Sequence, residues 1–475
     1  MNRRNFMLGS LALGCAQLPC ALASKTKEWR YQFQSIKSET LEPMTLKTVG
    51  KWPASLKGNL FRNGPALFER NQTRYEHWFD GDGMINQFQL EGNRITHQAR
   101  FVATKKYQKE QAAERFLYSA TGTHIKSDTK ARNNDDINTA NTHVIPFNDE
   151  LLALWEGGSA YRIDAKTLKT IGPMTWNDEL QHIPFSAHPH RDKQGDLWNY
   201  GFIPYMQQPL LMIYHIGADN QLKRYKTIKL NHPGYMHDFM VTDDYLLFLN
   251  SSCLFNKKNA KNYIAGYQWQ ENQASEVILV DKHSLKVIAI IDIPPQFVFH
   301  FSHAQQLNKN AIVFYAAAYN DAEIMLSSMR NAGGVDPQKD NASLKKFYVD
   351  LSSKKIKIEN TQVGLEFPQW NSALNTIFSV GYDKNISHGM STKIVAYNVK
   401  TENAESYDYG QSTITEEPLS ILHQNKHYLL HSFYNYKKNI SGLALLDAKK
   451  ISDGPIAMAE MNRVIPLGFH GSFVV

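Results

Sequence analysis

The sequence predicts an all-β fold: one seven-bladed β-propeller, with loops and short helices capping one face. Three observations carry that expectation. Long helical periodicity is nearly absent, alternating apolar strands recur in hairpin units, and four histidines in distinct contexts lie far apart along the 475-residue chain.

Each hairpin joins an alternating apolar strand to a second strand, often carrying Lys, across a turn bearing Asp, Asn or Gly. Residues 84–101 turn at Glu91-Gly92-Asn93, 160–171 at Asp164, and 211–228 at 217–220. Residues 276–290 turn at Asp281, 347–358 at Asp350, 394–405 at Asn398 and 443–451 at Asp447. Successive turns lie roughly 50 to 75 residues apart, which is room for one four-stranded blade and its connections. The units share little sequence, unlike WD40 or kelch arrays. A set of β-sandwiches would also produce such hairpins and is the alternative. Helix signals are confined to 109–116 and 321–329. No Pro/Gly/Ser-rich linker divides residues 24–475, which therefore read as a single domain.

Residues 1–23 stand apart. The Arg3-Arg4 pair, Phe6, a short apolar run and Ala21-Leu22-Ala23 have the layout of a twin-arginine export signal cleaved after Ala23. The expected location is therefore the periplasm. Lipidation at Cys15 is the alternative, although Ala12 fits a lipobox poorly. Cleavage would remove Cys15 and Cys20, leaving Cys253 and no disulfide within the mature chain. The formal charge is +7, of which Arg3 and Arg4 carry two, and the remaining Lys and Arg are scattered. That pattern argues against a nucleic-acid partner.

The histidines are His188 in AHPHRD, His237 in MHDFMVTDDYLLF, His300 in FHFSHA and His470 in GFHGSF. They are too far apart for a local motif such as HExxH, and meet only if the fold returns each to a common axis. Four neutral imidazoles leave a divalent metal its full charge and suit iron, copper, nickel or zinc. A ligating imidazole usually donates its other N–H to a carboxylate or carbonyl. Glu156 in LLALWEGG, Glu366 in GLEFPQW and Glu417 in TEEPLSI lie in apolar contexts, where a buried carboxylate needs a partner. The alternative for each is a turn carboxylate facing water. The chain has 18 His, and most are ordinary core or turn residues. His190 shares a strand face with His188 one pleat further along. His303 and His300 fall on opposite faces, so one of that pair can point at the axis.

Together with LKGNLFRNGP (56–65), HWFDGDGM (77–84), NTANT (138–142) and ALWEGG (153–158), these segments occur in an order that resembles the carotenoid cleavage oxygenase family. That family includes apocarotenoid and stilbene oxygenases and a retinoid isomerase. The resemblance runs from Leu56 to Val475, with EFP, EEP and GFHG among its motifs. It implies a seven-bladed propeller with Fe(II) (Fe2+) on its axis, held by His188, His237, His300 and His470. Glu156, Glu366 and Glu417 would pair with three of them. The family usually reads FHxxNA where this chain has His300, with the first His as ligand. Here His303 stands in the Asn position, so His300 is the implied ligand. The implied reaction is cleavage of a conjugated C=C bond by O2 into two carbonyl products, with the polyene held in an apolar tunnel.

The stilbene-cleaving branch holds its phenol with a Tyr in the segment matching RFVAT and a Lys just before NTANT. The matching positions here are Phe101 and Asp135, and no Lys lies in 133–138. These two residues are the expected substrate contacts. The substitutions favour a carotenoid or apocarotenoid over a stilbene; a polyene isomerase on the same iron is a further alternative. Residues 253–269 intersperse Leu254, Phe255, Tyr263, Ile264, Tyr267 and Trp269 with Lys257, Lys258 and Lys261. That mixture suits either a peripheral membrane anchor or an ordinary aromatic loop between blades.

Overall fold

The computed structural model describes residues 28–127, 129–336, 342–383 and 389–475. The export signal expected over 1–23, with Cys15 and Cys20, lies outside them.

Among the described residues, seven sheets of four to six strands and two short two-stranded ribbons form the propeller. In blade 2 the chain runs outward through His143–Phe147, Glu150–Leu154, Tyr161–Asp164 and Thr170–Pro173. Blade 3 follows with His190–Arg191, Leu197–Ile203, Leu210–Ile216 and Leu222–Lys229. Blade 4 is Phe239–Val241, Tyr245–Asn250, Ser275–Asp281 and Val287–Ile293; blade 5 is Phe297–Asn308, Ala311–Tyr319, Ser343–Asp350 and Lys355–Gly364. Blade 6 is Glu366–Asn371, Thr376–Gly381, Lys393–Asn398 and Ala404–Asp408. First strands of neighbouring blades touch, as Phe239–Val241 does Phe297–Asn308 and the latter does Glu366–Asn371, while outer strands such as Leu222–Lys229 and Lys355–Gly364 are largely exposed. The first strands therefore line the axis.

The two ends of the chain close the ring. Gly471–Val474 becomes the inner strand of blade 1 by pairing with Lys57–Leu67, with Arg62 opposite Gly471. The N-terminal strand Lys47–Gly50 pairs with Pro455–Met461 and forms the outer edge of blade 7. Alternating apolar residues fill the spaces between blade faces. One cluster joins Leu247, Leu279 and Ile291 of blade 4 to Phe301, Phe314 and Phe347 of blade 5. Another joins Tyr200 and Ile213 of blade 3 to Phe239 and Phe248 of blade 4.

All seven predicted hairpin turns fall between paired strands as expected. In the seventh, the strand returning from Ile440–Asp447 starts at Pro455, because a 3-10 turn, Ile451–Asp453, occupies the connection. The helix expected at 109–116 is Lys105–Ala112 instead. The Thr104 side chain caps it by accepting from Tyr107 N, and Glu114 leaves the helical region with φ 52°. Within 321–329 the chain makes one π-helical turn, Ile324–Ser328, followed by a 3-10 turn, Arg330–Gly333.

The inter-blade insertions cap one face of the ring. His77 Nε2 lies 2.9 Å from Met325 O, Gly122 N donates to Asp80 Oδ1 at 2.6 Å, and Ile264 N donates to Thr121 O at 2.9 Å. Residues 253–269 form part of this cap. Ile264 and Tyr267 are buried, while Leu254, Phe255, Tyr263 and Trp269 are half-buried. Their apolar side chains pack at least partly inward, as in an aromatic loop between blades. Lys257, Lys258 and Lys261 remain exposed. No helix of the described residues is long and apolar enough to cross a membrane.

Candidate metal centre

The four separated histidines meet on the axis. His188 and His237 stand two residues before the inner strands of blades 3 and 4, His300 lies within that of blade 5, and His470 immediately precedes the closing strand. All four are buried, and one ligand nitrogen from each lies within 4.8 Å of the others. The closest pairs are His188 Nε2 to His237 Nε2 at 3.0 Å and His300 Nε2 to His470 Nε2 at 3.1 Å.

The tautomers decide what those short separations mean. His237 Nδ1 lies 2.6 Å from Glu156 Oε2, His300 Nδ1 2.6 Å from Glu366 Oε2, and His470 Nδ1 2.8 Å from Glu417 Oε1. A carboxylate accepts, so each Nδ1 carries the proton and each Nε2 offers a lone pair. Bare lone pairs about 3 Å apart repel unless a cation lies between them. Imidazole nitrogen binds zinc at roughly 2.0–2.1 Å, and ligands at right angles at that distance stand about 3.0 Å apart. The donor set therefore fits a first-row divalent metal. Among the described residues His188 has no carboxylate partner.

Electrostatics agree. Burial, and then the neighbouring imidazoles, hold His188 and His470 well below the usual histidine range, so both are neutral lone-pair donors. Burial also pushes His300 down, but Glu366 outweighs it and raises the net value. The field that would favour a proton there favours a metal cation for the same reason. Glu417 is the most elaborately held carboxylate. Its Oε1 also accepts from Gln369 Nε2 at 2.9 Å, and its Oε2 from Arg62 Nη1 at 2.8 Å and Gly471 N at 3.2 Å.

His190 and His303 stay out of the cluster. His190 Nε2 lies 3.0 Å from Asp238 Oδ1, and His303 stacks on Trp370 at 3.6 Å. Asp238 and Arg62 carry structural roles that the sequence reading did not assign. Asp238 adjoins His237 and accepts from Phe301 N, next to His300, at 2.9 Å, so it ties two histidine-bearing strands together. The Asp in MHDF and the Arg in LFRNGP were the available signals. Phe367, φ 54°, stacks on His300 at 4.9 Å, and a bulky residue in that region marks a constrained backbone.

Beside the histidines lies a cavity of about 490 Å³ with mainly apolar and aromatic walls, including Trp78, Phe79, Phe299 and Phe469. Among the described residues no Lys, Arg or Asp lines it. The two expected substrate contacts are corrected. Phe101 is buried on a strand that three others separate from the axis of its blade, and it stacks on Tyr107 at 5.2 Å. Asp135 is a buried tie: it accepts from Ser159 N and Oγ at 2.8 Å each, Asn138 Nδ2 at 3.1 Å and His182 Nδ1 at 2.6 Å. Burial alone would raise its pKa, but those hydrogen bonds hold it below the ordinary carboxylate value. Its neighbours Asn134 and Ile137 line the cavity instead.

Comparison with known proteins agrees with the fold. The family model described as RPE65, retinal pigment epithelial membrane protein, matches residues 33–475. The chain is 26% identical to apocarotenoid-15,15'-oxygenase of Synechocystis sp., over 95% of this chain and 94% of that protein. It is 25% identical to isoeugenol monooxygenase of Pseudomonas nitroreducens, over 90% and 94% respectively. The crystal structure of an ACO/RPE65 chimera superposes with a TM-score of 0.84 at 24% identity, covering 94% of this chain and 98% of the other. With its seven blades and its buried four-histidine cluster, the chain belongs to the RPE65 family of carotenoid cleavage oxygenases and is an enzyme of the non-haem iron type.

Proposed function

We propose that this protein is an Fe(II)-dependent dioxygenase that cleaves a conjugated C=C bond of a carotenoid or apocarotenoid into two carbonyl products. One observation carries the reading: four buried histidine nitrogens converge beside a cavity with mainly apolar walls and no Lys, Arg or Asp among its described lining residues. Iron bound there would supply O2 activation, a redox chemistry that side chains lack. The chain's own residues do the rest. Glu156, Glu366 and Glu417 fix the tautomers of three histidines. Trp78, Phe79, Phe299 and Phe469 exclude water and hold an apolar conjugated chain beside the histidines. No acid–base residue is called for.

A second reading, cleavage of a phenylpropenoid or stilbene, draws support from the isoeugenol monooxygenases among the relatives. The absence of Lys and Arg from the described cavity walls favours the uncharged polyene. Incubation of iron-loaded protein with apocarotenals, a stilbene and isoeugenol under 18O2 tests the reading. Labelled aldehydes from an apocarotenal support it; an unlabelled isomer or alcohol eliminates it.

Access to a lipophilic substrate supports peripheral membrane contact through 253–269. Lys257, Lys258 and Lys261 are exposed around Ala260, Asn262 and Tyr263, which line the cavity. Export by the twin-arginine route to the periplasm rests on Arg3-Arg4 and the apolar run after them.

A further inference from the structure

We propose that Ser328 and Asn331 form a hydroxyl-binding subsite in the cavity wall, and that the preferred substrate carries a neutral hydroxyl on its end group. The proposal deepens the oxygenase reading and rests on it. Both side chains line the cavity and are nearly inaccessible, at 1% and 4% exposure. Ser328 Oγ and Asn331 Oδ1 are buried without a hydrogen-bond partner in the described structure. Such atoms are rare in folded proteins, because leaving them unpaired forfeits their hydration without return.

Local geometry explains why the two atoms serve one site. Met329 N bonds back to Ile324 O, five residues earlier, at 3.1 Å, which widens the helix into a π turn. Arg330–Gly333 then tightens into a 3-10 turn. Ser328 ends the π turn and Asn331 lies in the 3-10 turn that follows, and both side chains line the one cavity. Met325, Met329 and Leu467 line the same cavity and offer no competing polar side chain.

The chemistry of the pair selects the ligand group. Asn331 Oδ1 can only accept, and Ser328 Oγ–H can donate. A single hydroxyl satisfies both, donating to Asn331 and accepting from Ser328. A carbonyl or an ether oxygen satisfies Ser328 alone, and a methyl satisfies neither. A carboxylate would face the Asn331 oxygen with no cation on the described walls. The hydroxyl could belong to the ring of an apocarotenoid or to the phenol of a phenylpropenoid.

The test uses the iron-loaded full chain and two substrate pairs. One is a ring-hydroxylated apocarotenal and its unhydroxylated counterpart; the other is isoeugenol and its methyl ether. Within the pair that is turned over, the hydroxylated member should be favoured in kcat/KM by about tenfold or more. Ser328→Ala and Asn331→Leu should each shrink that ratio about three- to tenfold. Quenching of tryptophan fluorescence gives the same ratio in binding, since Trp78 and Trp155 line the cavity. A wild-type ratio near one in both pairs, with only water filling the subsite, would overturn the proposal. So would a ratio unchanged in both variants. Hydroxyl-dependent binding without cleavage of any substrate would leave the subsite standing and remove the oxygenase reading; cleavage without hydroxyl preference would do the reverse.

Discussion

Glu417→Gln keeps the side chain's shape and removes its charge, and the structure says what that should cost. The native carboxylate receives four donors: His470 Nδ1, Gln369 Nε2, Arg62 Nη1 and Gly471 N. A glutamine has one acceptor oxygen, so His470 and Arg62 must compete for it. Arg62 is 3% exposed, and its other carboxylate, Glu416, lies farther away at 3.4 Å. Deleting one partner of a buried ion pair costs about 3–5 kcal/mol. Unfolding entropy for a chain of this length is about 0.9 kcal/mol per degree, so the metal-free protein should melt about 3–5 °C lower. Loss of the His470 orientation should also weaken metal retention about 10–100-fold. Glu366→Gln is the control. Glu366 holds His300 and accepts from Phe367 N but has no arginine partner, so metal retention should fall similarly while melting falls by only about 1–2 °C. Scanning calorimetry of the metal-free proteins and metal analysis after desalting provide the two readouts. Equal melting shifts in both variants would refute the role given to Arg62. Full metal retention by Glu417→Gln would refute the role given to the carboxylate. In Arg62→Met/Glu417→Gln, melting should partly recover and metal retention should not.

Four further outcomes are expected. His470→Ala and His300→Ala abolish stoichiometric iron, whereas His303→Ala retains it; iron kept by His470→Ala would dismiss the ligand set. Truncation after Gly468 also removes iron, but it takes the closing strand with it, so only the point variant isolates the ligand. Asp135→Ala lowers melting at neutral pH. Because the folded pKa of Asp135 lies below its unfolded value of about 3.9, its stabilisation is present above that pH and is lost as pH falls through the folded value. The melting gap to wild type should therefore narrow below about pH 4, and a gap constant down to pH 2 would refute the argument. Reversing Lys257, Lys258 and Lys261 to Glu should cut partitioning onto anionic vesicles about 100-fold, measured by co-sedimentation, and no change would dismiss that contact.

The propeller and its axis were legible because strand alternation and turn residues are local signals, and ring closure follows from their repetition. The metal-site residues were legible through their unusual contexts, four histidines and three glutamates in otherwise apolar or tightly patterned segments. The cavity walls were not. Phe101 alternates correctly for a buried strand position, but its blade carries it away from the axis, and strand order within a blade is a tertiary fact. Asp135 missed the cavity by one residue, since on the 3-10 turn Asn134–Asp136 adjacent side chains point in different directions. The aromatics of 253–269 stayed open between anchor and inter-blade loop because composition does not say which side of a two-stranded ribbon meets the core. Ser328 gives no signal at all in sequence: only its depth and its lack of a partner single it out.

The closing strand Gly471–Val474 has a consequence for the order of folding. It pairs with Lys57–Leu67, about 400 residues earlier in sequence, and so distant a pairing forms slowly. Three histidines can be in place before it forms, but His470, which adjoins the closing strand, joins them only with it. Metal capture is thereby tied to closure of the ring, and an intermediate with an open ring lacks the full ligand set.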